Sequence, residues 1–336
     1  MKKIKVAIVG ASGYTGLELI KILLNHPYFE LSYVGTTEGA SSIEEIHPSL
    51  KDVVNFEVKK SDAKEIAKEC KLAFLALPHK TAMSFAKELL DLHVKVVDLS
   101  ADYRLSLEIY EKHYEKHLDE EHLKEAVYGL PEINREKIKK ANLVANPGCY
   151  PTASILAILP FKKFLQKNSP IFIDAKSGVS GAGKKLSETT HFINVNENFT
   201  TYNALKHRHE PEITEALNSQ NIKNAIHFVP HLLPISRGML VSAYMQVTQK
   251  FNAYEILSEF YKNEEFVRVR DSAVNIKQTA GTNFCDIFAV QKDDILFVSG
   301  SIDNLLRGAA SQAVLNANIM FGYEENLGIP KIAYVP

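Results

Sequence analysis

With 336 residues, 46% of them hydrophobic and 24% charged, the chain has the composition of an ordinary globular protein and the length for two domains; a disordered or fibrous chain is excluded. A formal net charge of -1 offers no broad field for gripping nucleic acid or an anionic membrane, so the expected partner is a small molecule. No window approaches the roughly 18 consecutive apolar residues of a membrane helix, and Cys70, Cys149 and Cys285 are odd in number with neither disulfide nor metal spacing. The expectation is a cytoplasmic protein with reduced thiols and no metal.

In chain order, "MKKIKVAIVGASG" is too short for a signal peptide and runs into a glycine turn, so it reads as a strand. The runs "IKVAIVG", "LSYVGT", "KLAFLALP", "VKVVDLS" and "NLVAN" read as buried parallel strands. Between them, Leu17, Ile20, Leu23 and Leu24, and later Ala82, Phe85, Ala86, Leu89 and Leu90, recur at helical spacing. This is a βαβ rhythm. The charged stretch from Glu108 to Glu125 reads as a solvated helix. The second half changes character: "IFIDAKSG", "AIHFVPHLL", "GMLVSAYMQVT", "FVRVR" and "ILFVSGSID" predict a more mixed sheet, and "NLLRGAASQAVLNANIMFG" a long packed helix. The fold class expected is α/β: a Rossmann-type dinucleotide-binding domain plus an α+β substrate and dimerisation domain with a mixed sheet.

"VAIVGASGYTGLELI" places Gly10, Gly13 and Gly16 between a strand and a helix. Gly10 permits the turn, Gly13 lets backbone approach a pyrophosphate, Gly16 allows close helix packing, and Ser12 and Thr15 add hydroxyls. The alternative is a plain βα turn; the position on the first strand of a βαβ series favours nucleotide binding. After the second strand, Thr36 and Thr37 can serve a 2′-phosphate, whereas Glu38 would repel one if it points inward. "GVSGAGKK", Gly178 to Lys185, nearly matches a phosphate loop but has Lys185 where a hydroxyl should bind Mg²⁺, so it is read as a glycine loop beside the active site.

Cys149 in "NPGCYPT" lies between a strand and a helix expected to begin near Pro151. A helix N-terminus favours the thiolate and offers N–H groups to an oxyanion. Buried cysteines are commonly inert, and that reading is kept for Cys70 and Cys285. "KHRHEPEI" supplies His207 and His209, either of which could be the acid–base partner; a metal reading fails for want of further ligands. Arg104, Arg208 and Arg237 are candidates for anionic substrate groups, against the ordinary alternative of a surface ion pair.

Taken together, "GASGYTG", "LALPH", "DLSADYRL", "YGLPE", "NPGCYPTA", "SGVSGAGKK", "HRHEPEI", "PHLLPISRGM", "GTNFCDI" and "DNLLRGAASQAVLNANIMFG" resemble the N-acetyl-γ-glutamyl-phosphate reductase family, the arginine-pathway branch of the aspartate-semialdehyde dehydrogenase superfamily, over nearly the whole chain. The resemblance implies reduction of N-acetyl-γ-glutamyl phosphate by NADP(H) through a thioester on Cys149, with His209 preferred over His207 for the proton. It implies Arg104 and Arg237 for phosphate, Arg208 for the α-carboxylate, and further substrate contacts at Asn146 and Glu210. Cofactor contacts are implied at the Gly10–Gly16 turn including Tyr14, and at Thr36, Thr37, Pro78, Ser177, Gly178, Gly181 and Asn304. It also implies a homodimer or homotetramer, and domains 1–148 (nucleotide, completed by 304–336) and 149–303 (catalytic and oligomerisation). Family members often have Ser-Arg after the second strand to hold the 2′-phosphate, whereas this chain reads Thr36-Thr37-Glu38 and is shorter there. The alternatives are a lysine-pathway relative acting on a carrier-linked aminoadipyl phosphate and a non-catalytic nucleotide-sensing protein.

Overall fold

A computed structural model describes residues 3–334; Met1 and Lys2 of the basic start, and the last two residues of the 304–336 stretch, lie outside the described residues. The chain forms two compact units. One runs up to Pro147 and includes Ala309–Ile329; the other comprises Gly148–Gly308 and the segment from Pro330.

The first unit is built on β1 (Ile4–Val9), β2 (Phe29–Thr36), β3 (Lys59–Lys60), β4 (Leu72–Leu75), β5 (Lys95–Asp98), β6 (Val127–Tyr128) and β7 (Leu143–Ala145). Their order is β3-β2-β1-β4-β5-β7-β6, and every pair is parallel. Such strands are covered on both faces, which is why "LAFL" is buried at each position instead of alternating. The strand order reverses at β1 and β4, so a crevice opens at their carboxyl ends, where an open α/β sheet takes its ligand. Helix Ala310–Met320, buried at every residue, packs on helix Tyr14–Leu24 in this unit.

The stretch from Glu108 to Glu125 is not one solvated helix. It is two short helices, Leu107–His113 and Glu120–Glu125, because Tyr110, His117 and Asp119 turn inward. Buried Tyr103 donates its hydroxyl to Asp119 at 2.8 Å, and His117 Nε2 bonds the Asp102 carbonyl at 2.9 Å. Specific buried partners override a charge pattern that reads as solvent-facing.

The second unit contains β8 (Ile171–Gly178), β9 (Thr200–Thr201), β10 (Ile226–Leu233), β11 (Met239–Gln246), β12 (Val267–Val269), β13 (Cys285–Lys292) and β14 (Ile295–Ile302), in the order β12-β13-β14-β11-β8-β10-β9. It is mixed: β8 with β10 and β12 with β13 are parallel, and the other pairs antiparallel. Burial alternates strictly along β10, as it does in a strand with one covered face. The covered face carries helix Cys149–Ile158, which packs on β11 and β14 and on helix His209–Ser219. From Tyr150 to Ile158 that helix is buried throughout, consistent with its nearly all-apolar sequence.

Gly10 ends β1 in a conformation closed to other residues. Its φ is +91°, and a Cβ there would lie 2.3 Å from the Ala76 carbonyl oxygen. Gly10→Ala is expected to destabilise the protein by roughly 2–4 kcal/mol through backbone strain and this collision. A urea midpoint equal to that of the parent would refute the assignment.

Candidate active site

In the first unit, the glycine turn is fixed from three sides. Gly10 and Ala11 N–H groups donate to the Gly35 carbonyl at 2.9 and 3.1 Å, and a Cβ on Gly16 would strike Ala11 and the Gly10 carbonyl at 2.7 Å. Buried His47 donates from Nε2 to the Ala11 carbonyl at 2.7 Å. Sequence reasoning missed His47, which lies 36 residues from the turn. Gly13, the N-cap of helix Tyr14–Leu24, behaves differently: a Cβ on it would meet only the Gly10 oxygen, at 3.9 Å, so its outer side is open. Helix-end N–H groups beside an open glycine form a phosphate cradle, and the residues present fit a dinucleotide.

Ser12 and Tyr14 are exposed and Thr15 half-buried along this cradle. Thr36 is buried and accepts the Gly39 N–H on its hydroxyl at 3.0 Å, whereas Thr37 and Glu38 face solvent. Pro78 is exposed after β4, where its carbonyl accepts the Ala82 N–H.

Arg104 and Asn146 also lie in the first unit. Arg104 donates Nε to the Asn146 carbonyl and Nη2 to the Leu99 carbonyl, each at 2.7 Å. Asn146 is fully buried, donating to the Ala309 carbonyl and accepting from Asn316. Nearby Asp98 is pushed up to about 7 by burial and then by Asp102, with hydrogen bonds from Ser100 and the Arg104 charge opposing. This segment is a cross-linked scaffold as well as a candidate surface for anions.

The second unit holds the candidate nucleophile, Cys149. Helix formation begins at Cys149 itself, two residues before the expected start at Pro151. Extended Gly148 (φ −68°, ψ 158°) is the cap, and Pro151 still falls in the first turn, where its missing N–H leaves no bond unmade. Cys149 is half-buried, while Cys70 and Cys285 are buried. Burial pushes the Cys70 thiol up to about 12, with Glu69 adding to the shift, which leaves it inert.

Around the thiol, Thr152 Oγ1 donates to the Gly148 carbonyl at 2.9 Å. Tyr150 receives the edges of His207, His209 and Phe228, with centroids 5.6, 5.8 and 5.2 Å away. Tyr202 donates to the Tyr150 hydroxyl at 3.1 Å, which donates to the His231 carbonyl at 3.2 Å. Burial raises both phenols, Tyr202 to about 12, so both remain protonated donors. Tyr150 follows Cys149 in the same helix, so this aromatic cluster is built on the helix start that carries the thiol.

The two histidines meet, with rings 4.8 Å apart: His209 is the first residue of helix His209–Ser219, and His207 precedes it. The His209 N–H donates to His207 Nδ1 at 3.1 Å. Burial, then the charge of Arg208, lowers His207 to about 4, so near neutrality it is an uncharged ring with its proton on Nε2.

Of the remaining candidates, Arg208 is exposed at the head of that helix, and Glu210 accepts the Phe228 N–H at 2.9 Å. Arg237 pairs with wholly buried Asp303 at 3.1 Å. Ser177 and Asn304 are buried; Asn304 accepts from the Gly238 N–H at 2.7 Å and donates to Ser180 at 3.0 Å, tying the glycine loop to the turn before β11. A Cβ on Gly178 would lie 2.8 Å from the Arg237 nitrogen, and one on Gly181 3.1 Å from the Ser177 hydroxyl. Three further contributors escaped the sequence reading: Tyr202, Glu212 and Gly308. Only Glu212 carried a signal, three residues after His209 and hence beside it on a helix.

Residues 5–141 match the model of the semialdehyde dehydrogenase NAD binding domain, and residues 149–304 that of the semialdehyde dehydrogenase dimerisation domain. A protein of Sulfurimonas denitrificans named N-acetyl-gamma-glutamyl-phosphate reductase is 59% identical over all of both chains. Its namesake from Archaeoglobus fulgidus is 44% identical over 97% of this chain and 98% of its own. The chain belongs to the N-acetyl-γ-glutamyl-phosphate reductase family. The fold is also that of aspartate semialdehyde dehydrogenase II of Vibrio cholerae complexed with ASA (TM-score 0.71, 15% identity, 96% of this chain and 99% of that one). It is shared by the Candida albicans aspartate semialdehyde dehydrogenase with NADP (TM-score 0.71, 14% identity, 95% and 99%).

Gly308 supplies a test of how the Cys149 thiol is seated. A Cβ there would lie 2.5 Å from Cys149 Cβ and 2.6 Å from the Asn304 carbonyl oxygen. Gly308→Ala is expected to displace the thiol and slow its labelling by a disulfide reagent by about tenfold or more. Labelling at the parent rate would show that the contact is immaterial.

Proposed function

We propose that the chain reduces N-acetyl-γ-glutamyl phosphate to N-acetyl-L-glutamate 5-semialdehyde, with release of phosphate, as the NADPH-dependent reductase of arginine biosynthesis. The observation that carries this reading is Cys149: a half-buried thiol as first residue of a helix, against an aromatic cluster holding two histidines. The substrate comes from the full-length likeness to the named reductases. Three cysteines outside any disulfide accord with a cytoplasmic setting.

Helix-end N–H groups favour the Cys149 thiolate. Its sulfur attacks the acyl carbon, a C–S bond forms, and the bond to the phosphate oxygen breaks with its electron pair leaving on phosphate. The same N–H groups receive the carbonyl oxygen as it gains charge. Gly10, Gly13 and the start of helix Tyr14–Leu24 would hold the cofactor's phosphates. When bound, the reduced nicotinamide supplies the hydride that takes the acyl carbon to the aldehyde level. His209 protonates the oxygen of the resulting hemithioacetal and takes that proton back as the C–S bond breaks, returning the pair to Cys149 sulfur. His207 is unsuited to that role, because its Nδ1 already accepts the His209 N–H and its pKa of about 4 keeps it neutral. It holds the helix start that presents His209. Exposed Arg208 is our choice for the α-carboxylate.

We further propose a homodimer on the open face of the second sheet. His227, Phe172, Tyr244, Phe297 and Val290 are register partners in one row across β10, β8, β11, β14 and β13. Phe172 is 52% and Tyr244 44% exposed, and a continuous row of aromatic and apolar side chains is what a second copy would cover.

In the phosphate-dependent oxidation assay, acetylglutamate semialdehyde with NADP should outpace both the aminoadipate analogue and NAD. Cys149→Ser should abolish turnover while nucleotide binding persists; unchanged turnover would end the mechanism. His209→Asn is expected to lower kcat by about 10²–10⁴, whereas His207→Asn, whose side-chain oxygen can take over the same N–H, should cost less than about tenfold. The reverse order would exchange the two roles. His207 also has a stability signature: with its folded value near 4 and its ordinary value 6.5, unfolding takes up a proton between those pH values. Stability present above 6.5 should fall as pH drops towards 4, and His207→Asn should flatten that slope. Tyr244→Glu should yield monomers by light scattering; an unaltered oligomer would place the interface elsewhere.

A further inference from the structure

Glu212 is 2% exposed, yet nothing in the chemistry above uses it. It stands in helix His209–Ser219, three residues and so about one turn beyond His209. Its Oε1 accepts the backbone N–H of Gly148 at 2.9 Å. Gly148 is the cap of the helix that begins with Cys149. One helix therefore grips the start of the other at two adjacent points: His209 against the Tyr150 ring, centroids 5.8 Å apart, and Glu212 on the Gly148 N–H.

The geometry of this grip is selective. A carboxylate acceptor makes a charge-assisted bond, and a buried N–H left without it would carry the full desolvation penalty. Gly148 and Cys149 are consecutive, so a shift of this N–H moves the sulfur away from the helix-end N–H groups. Any such shift also changes its registry with His209, because Glu212 and His209 share one rigid helix.

We propose that Glu212 is a positioning residue for Cys149: its acceptor oxygen, at the reach of a glutamate side chain, fixes the nucleophile against the end of its helix and against His209. The inference deepens the reductase reading and rests on it for the role of His209, but the seating of the thiol can be read without any acyl substrate.

The test compares Glu212→Asp, which keeps the charge and shortens the reach, with Glu212→Gln, which keeps the reach and an acceptor oxygen. In the full-length protein, the carboxymethylation rate of Cys149 by iodoacetamide at pH 7 is measured beside kcat, the KM for nucleotide and the Tm. Glu212→Asp should slow alkylation by about tenfold and kcat by about a hundredfold, with the nucleotide KM unchanged. Glu212→Gln should recover most of both. Alkylation in Glu212→Asp at the parent rate, or equal losses in both variants, would overturn the proposal. Should Glu212→Asp fail to fold, amide hydrogen exchange of Gly148 in Glu212→Gln decides: protection as in the parent supports it, and rapid exchange overturns it. If the reductase reading alone is wrong, no variant turns over the acyl phosphate, yet the alkylation contrast persists.

Discussion

The placement of Gly148, Cys149 and Tyr150 at the start of a buried helix is the constraint on which the proposed chemistry depends. A thiol is a useful nucleophile only as the anion, and a helix end offers that anion unpaired N–H groups. Those groups have direction, so the sulfur must be held where they point. The hold comes from several directions: Thr152 bonds the Gly148 carbonyl, Glu212 the Gly148 N–H, and Gly308 leaves room for nothing larger than hydrogen beside Cys149. Behind them, a helix buried from Tyr150 to Ile158 gives the turn a rigid base.

The first unit uses the same physics for a different charge. At helix Tyr14–Leu24 the N-terminal N–H groups look past Gly13 into open space, suited to a phosphate. Gly10 and Gly16 are glycines because neighbouring backbone occupies the room a Cβ would need, whereas Gly13 is a glycine facing outward. The turn is backed by Gly35 and by His47, whose imidazole grips the Ala11 carbonyl. In both units, polar backbone is aimed by contacts from distant segments.

The histidine pair shows how like residues two positions apart come to differ in environment. Both rings pack on Tyr150, and both lie within three positions of one another in the chain. One accepts a hydrogen bond on Nδ1 and sits under burial and the Arg208 charge, which fixes it as neutral. The other opens the helix that carries Glu212. The arginines differ in exposure: Arg104 and Arg237 are partly buried, bonding carbonyls and Asp303, and Arg208 is exposed.

The sequence by itself determined the parallel sheet, the glycine turn, the mixed second sheet and the setting of Cys149, since each depends on local pattern: continuous apolar runs, glycine spacing, alternation and a strand-to-helix junction. It also determined family membership, through motifs in a fixed order along the chain. Only the tertiary structure decided that the helix begins at Cys149 instead of Pro151, that the segment from Glu108 to Glu125 breaks where Tyr110, His117 and Asp119 turn inward, and that burial and the charge of Arg208 lower His207. It alone revealed His47, Tyr202, Glu212 and Gly308, whose partners lie tens to more than a hundred residues away. Periodicity records which face of an element is buried; it does not record which buried polar atom finds which partner, because that is fixed only when separate elements pack.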